Sequence, residues 1–332
     1  MERAQDRPAG TYRPDIQGLR AVAVLLVVCC HSGLAFSGGF VGVDVFFVIS
    51  GFVIGALLLR ELDSSGSISF GRFYARRARR LLPSLAVVTV VTVVVSVLLL
   101  NPYLSQERSF KTAGAGTVFV ANAYLYRHLG YFDVGADGRN PFLHLWSLSV
   151  EEQFYLVLPA LVLAAWFLGR RRSPGLGRRS IGLVVAGASL VSLWLSWAMT
   201  SGHSPISLQA PVRFAFYASP TRFWEFGVGV LLALGAARFQ RVPPALATLL
   251  GVSGAAAVIG ASVLLDATSV FPGVNAIPPV AGTGLLIVAG VRSAPIQRVL
   301  SVAPLRWIGD RSYTWYLWHW PAIVFARVLW PD

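Results

Sequence analysis

Charge is what this chain has least of. Asp, Glu, Lys and Arg make up 13% of its 332 residues, about half of the ~25% usual in a soluble domain. Lys111 is the single lysine beside 27 arginines, a bias that fits a GC-rich genome. Cysteine is almost absent: Cys29 and Cys30 are adjacent inside an apolar run. That pattern excludes a disulfide framework and zinc-type ligand spacing. No internal repeat stands out, which argues against a transporter built from duplicated halves. The first apolar stretch is expected not to be a removable signal peptide, because it is long and no small-residue cleavage pattern precedes the next span.

Apolar residues fill the space that charge leaves. They make up 55% of the chain, and the mean hydropathy is +0.63. Runs near the ~18 residues that identify a membrane-crossing helix recur at 19–36, 40–59, 81–100, 142–168, 181–200, 223–237, 245–265, 277–291 and 313–330. The expected fold is therefore all-α, a polytopic transmembrane helix bundle of about nine to ten spans. The net charge of +13 does not read as a nucleic-acid footprint, because 21 of the 28 basic residues fall in 1–20, 60–80, 170–179, 238–241 and 292–311. Basic residues concentrated in alternate connections orient a membrane protein and touch anionic lipid. This places the N-terminus in the cytoplasm and, with nine spans, the C-terminus outside. The stretch 112–128 breaks the parity if it crosses, so it reads as re-entrant or packed near the outer face, with its irregular backbone satisfied by protein. The segment "YFDVGADGRNP" (131–141) reads as an exposed outer loop.

Several polar side chains interrupt this pattern. Arg20 and His31 are eleven residues apart, within about 20° of three full helical turns and ~16 Å along the axis. They share one face, with Arg20 at the cytoplasmic edge and His31 well into the span. An ionisable group at such depth is a functional candidate. His31 could be a packed, hydrogen-bonded histidine or a general base; Cys29 and Cys30 point away from it, and a metal would need more ligands nearby. Arg72 and the "FYARRARRLLP" that follows it place Arg72, Arg76, Arg77, Arg79 and Arg80 just before a span. They can anchor the helix at the lipid surface, or offer guanidinium forks to phosphate. His144, Glu151 and Tyr155 form a polar stripe at i, i+7 and i+11, with Glu152 rotated away from it. This stripe could exchange a proton or make interhelical hydrogen bonds. Arg222 and Glu225 at i, i+3 could be a structural ion pair. Tyr313, Tyr316 and His319 follow one another at three-residue steps before Pro321. Asp44 stands alone early in the second span, near Gly42, Ser50 and Gly51, small residues that allow close helix approach.

Six ordered segments, "YRPDIQGLRAVAV" leading to His31, "FSGGFVGVDVFFVISGF", "FYARRARRLLP", "LHLWSLSVEEQFYLVLP", "RFWEFGVGVLL" and "SYTWYLWHWP", resemble the acyltransferase-3 family of integral-membrane acyltransferases. The likeness spans nearly the whole chain and is closest to the branch that O-acetylates cell-envelope glycans. The resemblance implies transfer of an acyl group, expected to be acetyl, from cytoplasmic acetyl-CoA to an acceptor at the outer face. The acceptor would be a lipopolysaccharide O-antigen, peptidoglycan or exopolysaccharide, and the location the bacterial inner (plasma) membrane. It makes His31 the expected catalytic residue, as base or acyl carrier, with Glu151 and Asp15 in the acting set. Arg20, Arg76, Arg77 and Arg80 become the expected ligands of the donor's phosphates. Asp44, His144, Tyr155, Arg222, Glu225, Tyr316 and His319 are expected to hold substrate or support the site. Metal and nucleic acid are not expected; membrane lipid is.

One departure accompanies the resemblance. Glycan-acetylating relatives commonly continue into an extracytoplasmic SGNH-type domain, whereas residues 1–332 read as a transmembrane domain that stops at "ARVLWPD", apparently truncated. The expectation is that a further domain or a separate protein completes the transfer. The alternatives are a small-molecule acceptor such as a macrolide, a proton-coupled transporter using His31, Glu151 and His319, or an inactive scaffold.

Overall fold

In the computed structural model, which describes residues 13–128, 140–173 and 175–330, every regular element among the described residues is helical. The chain runs through α1 (Pro14–His31), α2 (Gly42–Ser65), α3 (Phe70–Leu99), α4 (Glu107–Thr117) and α5 (Ala121–His128). It continues through α6 (Leu145–Arg172), α7 (Gly177–Thr200), α8 (Pro211–Tyr217), α9 (Ser219–Phe239) and α10 (Pro244–Leu264). It closes with α11 (Ile277–Ala289), α12 (Ala294–Leu300), α13 (Ala303–Asp310) and α14 (Ser312–Leu329).

Each of the nine apolar segments carries a helix. Six of these, α1 to α3 with α6, α7 and α10, are long and apolar enough to cross a bilayer; residues Gly273–Ala289 and Ala294–Leu300 reach that length and apolarity only as a pair, bent by 110° into a broken span or a re-entrant loop. The remaining two, α9 and α14, carry Arg222, Glu225, His319 and Arg327 within or near their apolar stretches. Lipid-type surface is plain on α3, where Val87, Val90, Val94, Val97 and Leu98 are exposed. The expected outer loop at 131–141 lies almost wholly outside the described residues.

Small residues set the closest approaches. Gly51 of α2 lies against the Phe226 backbone of α9, and Gly229 of α9 lies against Val48 and Gly51 of α2. Gly42 meets the Ala23 carbonyl of α1. A side chain at any of these would fall inside the opposing backbone, so glycine permits the crossing. Ser50, read from sequence as another small packing residue, instead donates to Glu151.

The awkward stretch at 112–128 resolves into α4 and α5, separated by a break in which Phe119 has φ +56°. With 11 and 8 residues, neither helix reaches the ~30 Å of a hydrocarbon core at 1.5 Å per residue. The broken backbone is paired by α6: Gln153 donates to the Phe119 carbonyl at 2.8 Å, and Ser149 Oγ accepts from Ala121 N–H at 3.2 Å. Asn122 on α5 closes this polar seam through Gln153 and the Tyr217 carbonyl.

The first helix differs from its sequence boundaries at both ends. It starts at Pro14, since Pro suits the first helical turn and its polar-looking early turns are buried by α12 and α13. There Gly18 abuts Leu300 and Gln17 abuts Gly309. It stops at His31, so His31 is the terminal residue of α1 and not a mid-helix one. Ser32 N–H bonds Val28 C=O at 2.9 Å, Gly33 N–H bonds Cys30 C=O at 3.1 Å, and Gly33 takes φ +72°.

Candidate active site

The C-terminal end of α1 and the interior of α14 meet at a pair of histidines. His31 Nδ1 lies 3.0 Å from His319 Nε2, with the two rings within 8° of parallel. His319 is buried, and its Nδ1 is 2.6 Å from the Tyr316 carbonyl one turn earlier on α14. Trp320 packs edge-on against His31 at 4.8 Å and donates its indole N–H to the Asn140 carbonyl at 2.8 Å. Arg327 of α14 donates to the His31 carbonyl at 2.6 Å, satisfying an orphan C=O at the helix C-terminus, where a cation is favoured. His144, the residue before α6, is buried with its ring 5.7 Å from both the His319 and Tyr316 rings. The structure thus gathers His31 of α1, His144 at the entrance to α6, and Tyr316 and His319 of α14. Among the described residues no group of His, Cys, Asp and Glu is arranged to hold a metal ion.

Tyr316 also faces the other way. Its hydroxyl is 2.5 Å from Ser147 Oγ and 3.2 Å from the His144 carbonyl. Together with Ser147 it forms the wall of a cavity of about 300 Å³. Arg20, Arg76, Arg77 and Arg80 line that cavity, as do Ser50, Glu151 and Tyr155. Glu151 accepts from the Tyr155 hydroxyl at 2.5 Å and from Ser50. Arg20 donates to Ser312 Oγ at 3.1 Å. Among the described residues, four guanidinium groups and one carboxylate, that of Glu151, line the void, while Glu152 lies outside the lining and pairs with Arg77 at 2.6 Å. The same Arg77 guanidinium lies 3.4 Å from the centre of the Tyr155 ring, a cation–π contact.

Sequence spacing missed three of these links. Glu152 lies off the polar stripe, and that rotation is what carries it to Arg77. Ser147 and Ser50 are polar residues inside apolar runs, the signal that could have identified them. The expected polar stripe divides between two places: Glu151 and Tyr155 line the cavity, while His144 sits with the histidines.

Asp15 is not brought to this site. It lies 16 residues before His31 on one helix, ~24 Å along the axis. There it is buried against Arg13, whose Nη2 also bonds the Ile287 carbonyl at 2.9 Å. The two line a separate cavity with Gly290 and Gln297. The ion pair between residues 13 and 15 gives Asp15 a structural partner and leaves Arg20 to Ser312.

Asp44, Arg222 and Glu225 form a third polar cluster, at the α2–α9 crossing. Arg222 Nη2 is 3.0 Å from Asp44 Oδ1, and Nη1 is 3.0 Å from Glu225 Oε1. All three side chains are buried, and the rings of Phe47, Trp146, Phe216 and Phe271 surround the guanidinium at 5.4–5.9 Å. None of the three lines the arginine cavity.

Helices of this length and apolarity make the chain a multi-pass membrane protein. It belongs to the acyltransferase-3 family, whose acyltransferase domain matches residues 13–332. Among curated relatives, the peptidoglycan O-acetyltransferase OatA of Listeria monocytogenes is 32% identical over 327 residues, covering 95% of this chain and 50% of its own. YrhL of Bacillus subtilis, named as a candidate peptidoglycan O-acetyltransferase, is 31% identical over 326 residues, covering 95% of this chain and 49% of its own. The chain spans about half the length of these relatives. No solved structure matches it.

Proposed function

We propose that this chain is the membrane unit of an O-acyltransferase that takes an acetyl group from acetyl-CoA and passes it towards a cell-envelope glycan. The relatives' names point to peptidoglycan as the acceptor class. The observation that carries the reading is the arginine-lined cavity, which ends at Tyr316 and Ser147, next to the His31–His319 pair. Arg20 and His31 stand ~16 Å apart on one face of α1, so a donor with its phosphates among the arginines extends its thioester arm along the cavity toward the histidines. Phosphate is too polar to enter hydrocarbon, whereas a neutral thioester is not.

In this reading Arg76 and Arg80, exposed at the cavity mouth, receive the phosphates as charge-assisted hydrogen-bond donors. Arg20 supplies a third cation deeper in the void. Arg77 is held by Glu152 and acts as a brace for Tyr155. His31 is the base that removes the proton from an acceptor hydroxyl, or carries the acyl group on its ring nitrogen. The N-terminus faces the cytoplasm, where acetyl-CoA is made, and the acceptor is met at the opposite surface of the plasma membrane. An SGNH-type domain, in the same polypeptide or a separate one, completes delivery to the polymer.

The test is transfer of labelled acetyl from acetyl-CoA by purified protein in lipid, with His31→Ala alongside. Transfer or hydrolysis that is indifferent to His31→Ala contradicts the assignment. Movement of an intact solute, with no acetyl released, makes the protein a transporter.

A further inference from the structure

We infer that the second cavity, the one lined by Arg13 and Asp15, is a binding site for the phosphate of an anionic phospholipid. It has a volume of about 470 Å³ and lies between the start of α1, the ends of α9 and α11, and α12. A hollow of that size accommodates a small polar group. The acyl-transfer reading makes no use of it, and the inference stands apart from that reading.

The acceptors around this cavity are already occupied. Asp15 accepts from Arg13 Nε at 2.9 Å, and its side chain is only 4% exposed. At the end of α11, the Ile287 carbonyl accepts from Arg13 Nη2 at 2.9 Å. The Gly290 and Val291 carbonyls accept from Gln297 Nε2 at 2.8 and 3.3 Å. Donors are what remain: Arg13 Nη1, the Ser301 hydroxyl and the Gln240 amide have no partner among the described residues. Arg13 is held on three sides, by Asp15, by the Ile287 carbonyl and by the Phe52 ring 5.9 Å away. A guanidinium fixed in this way binds an anion at its open edge with little further loss of side-chain freedom.

Arg13 and Asp15 cancel in charge, so the attraction for an anion comes from the rim. Arg238, Arg241, Arg292 and Arg298 are exposed, and each is the sequence neighbour of a lining residue. None of the four forms an ion pair among the described residues. Unpaired arginines beside a donor-lined hollow favour phosphate. The adjoining surface decides what carries it. Val299, Val302 and Trp307 are exposed along α12 and α13, interleaved with exposed Arg298 and Arg306. Basic and apolar side chains exposed together mark a segment lying in the membrane interface. A phosphate bound here on a lipid keeps its acyl chains beside those apolar side chains, whereas a free phosphate gains nothing from them. Basic pockets between helices hold anionic headgroups in this way.

Native mass spectrometry of the full chain in detergent, titrated with phosphatidylglycerol, tests the site. One phosphatidylglycerol should stay bound per chain, phosphatidylcholine should not, and inorganic phosphate should fail to displace the lipid. Ser301→Phe fills the hollow without changing charge and should abolish retention. Arg241→Gln with Arg298→Gln lowers the rim charge and should weaken binding about tenfold or more. Arg171→Gln with Arg172→Gln removes the same charge from exposed positions outside the cavity and should leave binding unchanged. Equal weakening by the two arginine pairs overturns the inference, since the lipid then answers only to surface charge. So does full retention in Ser301→Phe, or equal binding of phosphatidylcholine. Displacement by inorganic phosphate alone makes the ligand a free anion and overturns the lipid assignment. Melting in phosphatidylcholine checks that Ser301→Phe is folded; if it is not, the two arginine pairs decide the question.

Discussion

Replacing Arg222 by Met should destabilise the bundle more than removing all three charges of its cluster. Arg222 is 1% exposed, Asp44 and Glu225 are 0% exposed, and each carboxylate lies 3.0 Å from a guanidinium nitrogen. Met fills much of the Arg volume and keeps contact with the surrounding rings, so packing changes little. What changes is charge: two carboxylates at the α2–α9 crossing lose their shared cation. Breaking a buried pair by deleting one partner costs about 3–5 kcal/mol, whereas replacing the whole group with neutral residues is often neutral or stabilising. Arg222→Met should thus lose about 3–5 kcal/mol, and adding Asp44→Asn and Glu225→Gln should restore most of it. Unfolding in detergent micelles followed by tryptophan fluorescence measures both, with Trp146 beside the guanidinium as a local reporter. A single variant within about 0.5 kcal/mol of wild type, the range of an ordinary surface change, refutes the reasoning. So does a triple variant less stable than the single one.

Three further outcomes are expected. Gly51→Leu should split α2 from the Phe226 backbone and cost at least about 1–3 kcal/mol, as overpacking does; loss of a monodisperse peak in size-exclusion chromatography checks it. Arg80→Ala should raise the KM for acetyl-CoA about tenfold or more with kcat unchanged, since a hydrogen bond to a charged group contributes about 1.5–3 kcal/mol; steady-state kinetics over donor concentration decide it. Tyr155→Phe removes the 2.5 Å bond to Glu151 but keeps the ring under Arg77, so acetyl transfer should fall about tenfold or more, and a radiolabel assay at saturating donor should show it.

Hydropathy places a helix at each of the nine apolar segments, because a membrane helix must satisfy its backbone internally and present apolar side chains outward. Six of those helices, or seven with the bent pair, are long and apolar enough to cross, against the nine to ten spans expected. Their ends were less legible. The first turns of α1 look polar along the chain and become helix interior only when α12 and α13 cover them. The candidate site divides in the same way. Arg20 and His31 lie on one helix, so periodicity alone could align them. His31 and His319 are 288 residues apart, and no local pattern encodes their contact. Asp44 was an isolated carboxylate until the glycine-mediated crossing of α2 and α9 brought it to Arg222. Glu152 points off the stripe by its spacing, and that same angle delivers it to Arg77.

Turnover by the purified protein in lipid, with and without the His31 imidazole, tests the central claim most directly. With labelled acetyl-CoA as donor, wild type should release the acetyl group to an added glycan acceptor or to water. His31→Ala should lose at least about 10²-fold of that rate, as expected for removal of a general base, while still binding the donor through its arginines. A His31→Ala protein as active as wild type would contradict the account.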